Sequence, residues 1–283
     1  MSRSTLVSAQ QLRECNPREV LIVDCRFELS DVERGARDYA KAHIPGAVYA
    51  DLNRDLSDLS KIGVGRHPLP DADQFSKVLG AWSWHPDTFV VAYDDAGGAL
   101  AAARLWWMLR LAGSRRVAVL DGGISAWTKA GFELDANVRS RGQSPTDVAF
   151  DESQIVMTDE LQRLSADPQA LLLDARGAPR YRGDVEPIDR VAGHVPGARN
   201  RPFSDNLDAN GQFKQAAQLR SEFDAIRGSH APRDVIHMCG SGVTACHNLL
   251  AMEHAGLHGS RVYAPSWSGW IADSNRAIAV GEN

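Results

Sequence analysis

Short apolar runs alternate with amphipathic stretches along the whole chain. Runs rich in Val, Ile and Leu predict strands, and stretches with apolar residues three and four positions apart predict helices. Strands separated by helices are typical of an α/β fold in which a mostly parallel sheet is flanked by helices on both faces. The predicted strands are residues 21–24, 48–49, 89–93 and 117–120 in the first half and 171–174, 235–238 and 262–263 in the second. The predicted helices are residues 9–15, 73–79 and 101–111, followed by 159–165, 216–225 and 244–255.

The pattern occurs twice because the sequence itself is repeated. A repeat of this length, with strands and turns inside each copy, predicts two homologous domains instead of a stack of short units. Three pairs of segments carry the repeat: LIVDCR at 21–26 with LLLDAR at 171–176, AHIPGA at 42–47 with GHVPGA at 193–198, and, more loosely, VLDGG at 119–123 with VYAPS at 262–266.

The domain boundary is predicted where apolar periodicity stops. The stretch SRGQSPT begins at residue 140 and consists of turn formers and polar residues, which is typical of a linker. We therefore predict a first domain at residues 1–139, a linker at 140–150 and a second domain at 151–283.

Composition and charge exclude several classes of protein. The 283 residues are 43% hydrophobic and 24% charged, which is typical of a globular protein with two cores. The formal net charge of −5 argues against a nucleic-acid or membrane-surface partner. Because no apolar leader and no run of about 18 apolar residues is present, we expect a cytoplasmic protein.

The four cysteines, at positions 15, 25, 239 and 246, fit neither a metal-ligand spacing nor a disulfide framework. Cys239 stands apart, because it opens the loop CGSGVTA at 239–245 between a predicted strand and a predicted helix. Gly240 and Gly242 allow the backbone N–H groups to turn toward one point, and the helix N-terminus adds its own free N–H groups there. Such a loop stabilises a thiolate, so Cys239 is predicted to be a nucleophile.

The corresponding loop of the first half has no cysteine. It reads YDDAGGAL at 93–100, with acidic residues near the position of the thiol. The first domain is therefore expected to be catalytically silent, although it can still form a wall of the site.

Taken together, the duplicated Asp-x-Arg strand ends, the paired His-Ile/Val-Pro-Gly-Ala turns and the loop at 239–245 resemble the tandem-domain rhodanese sulfurtransferases. Within that family the Gly-Ser pair after the cysteine is similar to the 3-mercaptopyruvate sulfurtransferases. The resemblance implies two rhodanese-like domains and transfer of sulfur from a small anionic donor, 3-mercaptopyruvate, through a Cys239 persulfide. The acceptor would be a thiol, such as thioredoxin, or cyanide, and neither a metal nor an organic cofactor is implied. Thiosulfate:cyanide sulfur transfer is the alternative.

The resemblance also assigns roles to individual residues. Cys239, Ser241 and His67 would be catalytic, with His67 and Ser241 forming a proton relay that an aspartate completes. The aspartate position holds Asn53, with Asp51 and Asp55 on either side. The expected substrate-binding residues are Arg180, Arg190, Arg66, Gly240, Gly242, Val243 and Thr244.

One departure concerns the second arginine of the donor site. Mercaptopyruvate-type members often carry it shortly after a Glu-Pro pair, whereas here Glu186-Pro187 is followed by Ile188-Asp189 and then Arg190. Either Arg190 reaches the site from a shifted position, or the second arginine contact is absent.

Residues present in both halves are expected to be architectural, because the silent half shares them. His43 and His194 should bond to nearby backbone in their Pro-Gly turns. Asp24 with Arg26, and Asp174 with Arg176, should form partly buried charge pairs at the sheet ends.

Two other functions fit the cysteine loop less well. A cysteine-based phosphatase needs an arginine six residues after the cysteine, and Ala245 stands there. A non-catalytic rhodanese-like binding module would suit the acidic first-half loop but not the intact loop around Cys239.

Overall fold

Two parallel five-stranded sheets organise the chain in the computed structural model, which describes residues 5–138, 142–165 and 167–282. The first sheet has the order β1-β5-β4-β2-β3 and the second the order β6-β10-β9-β7-β8. The predicted α/β fold with two homologous domains is confirmed. The strands are β1 (Leu6–Val7), β2 (Val20–Asp24), β3 (Val48–Tyr49), β4 (Phe89–Tyr93), β5 (Val117–Leu120), β6 (Ile155–Val156), β7 (Leu171–Asp174), β8 (Arg199–Asn200), β9 (Val235–Met238) and β10 (Arg261–Tyr263).

The helices fall between the strands, as the alternating pattern predicts. The six predicted helices are present to within two residues at each end, and four further short helices contain too many polar residues or too few positions to show a periodic pattern. The helices are α1 (Ala9–Arg13), α2 (Arg34–Lys41), α3 (Ala72–Ala81), α4 (Ala102–Leu111), α5 (Gly123–Lys129), α6 (Thr158–Leu164), α7 (Ala178–Arg182), α8 (Ala216–Arg227), α9 (Ala245–His254) and α10 (Ser266–Trp270).

The chain divides into two compact units. The first contains Met1–Asp58, Pro70–Asp151 and Ala209–Phe213, and the second contains Leu59–Leu69, Glu152–Asp208 and Lys214–Asn283. Residues 59–69 therefore belong to the second unit although they precede the linker predicted at 140–150. Residues 1–4, 139–141, 166 and 283, which include the start of that linker, lie outside the described residues. No helix of the described chain is long and apolar enough to cross a membrane.

Central strands in both units are buried along their whole length, as in β2 and β9. Such burial is expected where helices cover both faces of a parallel sheet. One apolar cluster of the first unit contains Ile22, Val91 and Trp127, and the comparable cluster of the second contains Leu172, Ile236 and Trp270.

The repeated charge pairs are confirmed as buried features of both sheets. Arg26 Nη2 lies 2.6 Å from Asp24 Oδ2, and Arg176 Nη2 lies 2.7 Å from Asp174 Oδ2. Each guanidinium also donates to a backbone carbonyl of the neighbouring turn, at 2.8 Å in both units. These pairs fix the turn against the carboxyl end of the strand.

The repeated histidines are likewise bonded to local backbone. His43 Nδ1 lies 2.7 Å from the carbonyl of Tyr39, and His194 Nδ1 lies 2.8 Å from that of Tyr181. Each ring also stacks on that tyrosine. The architectural interpretation of both residues is confirmed.

Candidate functional site

Cys239 follows directly after β9, the central strand of the second sheet. In a parallel sheet the carboxyl ends of the strands form the ligand-binding edge. The side chain is 2% exposed, and its Sγ accepts the backbone N–H of Gly242 at 3.1 Å. Gly242 has a φ of 79°, a left-handed conformation that glycine adopts without strain. This conformation belongs to the turn that places the N–H on the sulfur, as the sequence predicts.

The loop is attached to the segment that follows β10. Ser266 Oγ accepts the N–H of Cys239 at 3.1 Å, and the carbonyl of Cys239 accepts the N–H of Trp267 at 2.9 Å. The carbonyl of Gly240 accepts the N–H of Ser268, also at 2.9 Å. Together these three bonds hold both peptide groups beside the thiol in place.

Ser266 supports the cysteine loop and was not predicted from the sequence. Its φ is 53°, which is costly for a residue with a Cβ. The repeat carries a signal for it, because Gly123 stands at the matching position of the first half. Because the first copy has glycine at this left-handed position and the second has serine, the serine side chain is expected to make a contact that offsets the strain.

His67 and Ser241 are brought together, as predicted. His67 Nδ1 lies 2.8 Å from Ser241 Oγ, and the two residues are 4% and 7% exposed. Both belong to the second unit, because His67 lies in the segment 59–69. Burial keeps the pair away from bulk water, so its orientation is well defined.

The three candidates for a third member of the relay lie in the first unit. Asp51 Oδ1 accepts the N–H groups of Asn53 and Arg54 at 2.8 and 3.0 Å. Asp55 accepts the N–H of Asp51 and the guanidinium of Arg54. These carboxylates therefore form a local turn with their own backbone.

Two of the three predicted arginines lie beside Gly240. A Cβ built on Gly240 would lie 3.1 Å from Arg66 Nη2 and 3.7 Å from both Nη atoms of Arg180. The absence of a side chain on Gly240 thus leaves room for the guanidinium groups to approach the loop backbone closely. The arrangement offers N–H donors and positive charge one residue from the thiol.

The carboxylates of Glu186 and Asp189 hold these arginines. Arg180 Nη2 lies 2.8 Å from Glu186 Oε1 and 2.9 Å from Asp189 Oδ2, while Arg66 Nη1 lies 2.6 Å from Asp189 Oδ1. Burial acts to raise the pKa of Glu186, but hydrogen bonds from Arg180 and from backbone N–H groups outweigh it, so the pKa is lowered. Glu186 is therefore ionised at neutral pH.

The guanidinium of Arg190, unlike those of Arg66 and Arg180, bonds to a backbone carbonyl. Its Nη2 donates to the carbonyl of Ile271. The residue lines an open cavity of about 450 Å³ together with Gly65, Asp189 and Ser268. The structure therefore places Arg190 on the cavity wall, with its guanidinium on the backbone of the segment after α10.

Val243 and Thr244 lie at the start of α9. Val243 is buried, and its carbonyl accepts the N–H of Cys246 at 3.1 Å. Thr244 precedes the first helical residue, and its carbonyl accepts the N–H of His247 at 3.2 Å. The helix thus begins directly after the loop, which directs its N-terminal partial positive charge toward the loop.

Arg176 lies behind the site. Its guanidinium is 4.8 Å from the ring centre of Trp267. Burial acts to lower the pKa of Arg176, but the attraction of Asp174 and Glu186 outweighs it and raises the pKa. The group is permanently charged. Within the described part of the chain, no cluster of three or more His, Cys, Asp or Glu side chains is arranged to hold a metal ion.

One protein family matches both halves of the chain. The model of the rhodanese-like domain matches residues 7–130 and 157–273. The chain therefore belongs to the rhodanese family, as a protein with two such domains.

Individual relatives cover the full length. The chain is 46% identical to a probable 3-mercaptopyruvate sulfurtransferase of Pseudomonas aeruginosa, with 100% of both chains covered. It is 36% identical to a putative thiosulfate sulfurtransferase, SseB, of Mycobacterium tuberculosis, with 93% of this chain and 91% of the relative covered. The crystal structure of SseA from Escherichia coli, described among 3-mercaptopyruvate sulfotransferases, superposes with a TM-score of 0.81 at 31% identity, covering 94% of this chain and 100% of that one.

Proposed function

We propose that this chain is a sulfurtransferase that moves sulfur from 3-mercaptopyruvate through a persulfide on Cys239 to a thiol or to cyanide. The observation that carries the proposal is the N–H of Gly242 on Cys239 Sγ, beside the guanidinium groups of Arg66 and Arg180. A thiol held by an N–H donor, next to groups that bind an anion, suits attack on a small anionic sulfur donor. The full-length similarity to the Pseudomonas aeruginosa relative supports this choice.

In the first step the Cys239 thiolate attacks the thiol sulfur of the donor. A sulfur–sulfur bond forms, the carbon–sulfur bond of the donor breaks, and its electron pair leaves with pyruvate as the enolate. Protonation of the enolate carbon gives pyruvate and leaves Cys239 as a persulfide. The N–H of Gly242 and the N-terminus of α9 stabilise the negative charge on sulfur before and after the step.

Arg180 and Arg66 bind the donor carboxylate in this mechanism. Guanidinium groups match a carboxylate in shape and charge, and both lie beside Gly240. Arg190 contributes positive charge on the wall of the adjoining cavity. Gly240, Gly242, Val243 and Thr244 supply the loop backbone that surrounds the sulfur.

His67 and Ser241 move the proton of the reacting sulfur. The 2.8 Å contact between His67 Nδ1 and Ser241 Oγ allows the serine hydroxyl to pass a proton to or from the ring. The proposal needs only these two residues.

The second step regenerates the thiolate. An acceptor thiolate, such as that of thioredoxin, or a cyanide ion attacks the outer sulfur of the persulfide, and the sulfur–sulfur bond breaks with its electrons on Cys239. All four cysteines are free thiols, which suits a reducing cytoplasm. The first domain, residues 1–139, does not take part as a nucleophile, because Asp94 stands where the second domain has Cys239.

Thiosulfate is the second candidate donor. A dianion gains from cationic contacts, and the two guanidinium groups beside Gly240 provide them. The similarity to SseB of Mycobacterium tuberculosis points the same way. The neutral Gly240-Ser241 pair favours 3-mercaptopyruvate, whose single carboxylate needs less positive charge.

Steady-state kinetics with both donors test the proposal. We expect a higher kcat/KM for 3-mercaptopyruvate than for thiosulfate, with cyanide or reduced thioredoxin as acceptor. Cys239→Ser should remove turnover with either donor, while Cys15→Ser, which changes a partly buried cysteine of the first unit, should leave it intact. Turnover that survives in Cys239→Ser would overturn the mechanism, and a preference for thiosulfate would overturn the choice of donor.

A further inference from the structure

Asp189 occupies a central position among the charged groups of the site. Its carboxylate joins two guanidinium groups from separate segments, with Oδ1 2.6 Å from Arg66 Nη1 and Oδ2 2.9 Å from Arg180 Nη2. The side chain is 4% exposed, so solvent weakens these contacts little. Its backbone N–H is in turn fixed by Glu186 Oε1 at 3.0 Å.

The carboxylates balance the arginines that face the loop. Arg66 and Arg180 bring two positive charges beside Gly240, and Glu186 and Asp189 bring two negative charges to the same groups. Only part of each guanidinium is used in this way. Arg66 Nη2 and both Nη atoms of Arg180 lie within 3.7 Å of a Cβ built on Gly240, so donors face the cysteine loop while the net charge is low.

Asp189 also lines an open cavity next to the cysteine loop. It lines the open cavity of about 450 Å³ with Gly65, Arg190 and Ser268, and Ser268 donates its N–H to Gly240 in the cysteine loop. An anion bound to the guanidinium groups of Arg66 and Arg180 lies near the Asp189 carboxylate, which pairs with both. Repulsion between them grows in proportion to the charge of the anion.

We propose that Asp189 is a specificity-determining residue: by bridging Arg66 and Arg180 beside Gly240 it limits the positive charge at the cysteine loop, and so selects a donor with one negative charge over a dianion. This inference rests on the proposed sulfur transfer at Cys239. A monoanion binds to the remaining guanidinium donors, and the Asp189 carboxylate repels its single charge. A dianion such as thiosulfate meets twice that repulsion from the same carboxylate.

Three variants separate charge from shape. Asp189→Asn keeps the size of the side chain and removes its charge, and Asp189→Glu keeps the charge. Asp184→Asn is the matched control, because Asp184 is an exposed carboxylate paired with Arg182 outside the site. For each variant kcat/KM is measured with thiosulfate and with 3-mercaptopyruvate, using cyanide as acceptor.

A second readout does not depend on turnover. Cys239 is alkylated with iodoacetate, which is anionic, and with iodoacetamide, which is neutral, and the modified Cys239 peptide is quantified by mass spectrometry. The ratio of the two rate constants reports the electrostatic environment of the thiol for an anion. Reactivity of the thiol itself affects both reagents and cancels in the ratio.

In Asp189→Asn the ratio of kcat/KM for thiosulfate to that for 3-mercaptopyruvate should rise about tenfold. This is the size of effect expected when one negative charge is removed at a distance where solvent partly screens its repulsion of the donor. The iodoacetate-to-iodoacetamide ratio should rise in the same variant, and both ratios should stay unchanged in Asp189→Glu and Asp184→Asn. Equal losses for both donors with an unchanged alkylation ratio would show that Asp189 only positions the arginines, and would overturn the inference. If the unmodified protein transferred no sulfur from either donor, the proposed function would fail, and the alkylation ratio alone would decide the role of Asp189.

Discussion

The loops that follow the two central strands are built alike but carry different side chains, a carboxylate in the first unit and a thiol in the second. Asp94 follows β4 as Cys239 follows β9. The carbonyl of each residue accepts an N–H from the helix that follows the last strand of its own unit. The donor is Ile124 of α5 at 3.0 Å in the first unit and Trp267 of α10 at 2.9 Å in the second. Both units therefore keep the same turn at the same edge of the sheet.

The first loop is filled by its own side chain. The buried Asp94 carboxylate accepts five backbone N–H groups, which belong to Ala96, Gly98, Leu100, Ala101 and Ala102. In the second loop a smaller thiol accepts the N–H of Gly242, and arginines lie beside it. One copy therefore fills its loop with its own side chain, although burial raises the pKa of the Asp94 carboxyl, whereas the other places a thiol beside cationic groups.

The largest effect is expected when the buried carboxyl group of Asp94 is replaced. Asp94→Asn replaces one acceptor oxygen by an NH₂ group that faces backbone donors, so it should lower the free energy of unfolding by about 4 kcal/mol. Equilibrium urea unfolding at pH 7 measures this loss. Asp95→Asn, at the next residue and in a partly exposed pair with Arg34, should cost about 0.5 kcal/mol. Similar losses in the two variants would show that the carboxylate is not what holds the first loop.

A second substitution asks whether the first unit tolerates the residue of the second. Gly123 has a φ of 56°, and a Cβ there would lie 2.2 Å from the carbonyl oxygen of Asp94. Gly123→Ser should therefore cost about 3 kcal/mol of unfolding free energy. Gly131→Ser adds a side chain at a φ of 76° with nothing within 4 Å, so it should cost about 1 kcal/mol. Equal costs would mean that the backbone conformation alone, and not the collision, requires glycine.

The central strands also differ in their response to acid. His237 in β9 pairs in register with Leu173, where the first sheet pairs Ala92 with Val23. Burial lowers the pKa of His237 to about 3. The unfolded chain binds a proton near pH 6.5 and the folded chain does not, so the stability is present above that pH and is lost as the pH falls.

Urea unfolding between pH 6.5 and pH 5 tests this difference. The folded protein should lose up to about 2 kcal/mol through His237, and the loss should be absent in His237→Gln, which cannot be protonated. The slope against pH is compared, because the substitution also changes packing. Identical slopes would show that His237 does not titrate in this way.

The smallest effect is expected at Ser266, the residue of the second unit that corresponds to Gly123 of the first. Ser266→Gly relieves a left-handed backbone but removes the Oγ that accepts the N–H of Cys239, so stability should change by less than about 1 kcal/mol. Ser266→Ala keeps the strained backbone and loses the same bond, so it should be about 1 kcal/mol less stable than Ser266→Gly. Both variants should lower kcat/KM about tenfold, since each loosens the loop. Full activity in both would contradict a role for Ser266 in holding Cys239.

Much of this contrast could be predicted from the sequence. The repeat and the apolar runs showed two parallel α/β domains, and the Cys-Gly-Ser-Gly loop showed which copy carries the thiol. The two-residue strands β1, β6 and β8 were not predicted, although the equally short β3 was, because such short segments carry little periodic signal and pairing in the sheet determines them.

The sequence predicted the thiol of the candidate site and the two arginines nearest to it. It did not predict the residues that hold these groups in place. Ser266 depends on a backbone angle that one sequence does not reveal without comparing the two copies. Asp189 was noticed only as a departure from an expected arginine, since the bridge it forms joins segments 123 residues apart. Arg190, expected near the donor, lies on the cavity wall because its guanidinium bonds to the carbonyl of Ile271.

The most direct test of the contrast between the two loops is peptide mass spectrometry of the protein after reaction with 3-mercaptopyruvate in the absence of an acceptor. We expect the mass of one added sulfur atom on the peptide that contains Cys239, and its loss when cyanide is added. The peptides with Cys15, Cys25 and Cys246 should remain unchanged. Sulfur on any of those three, or none on Cys239, would contradict the assignment of the second loop as the sulfur carrier.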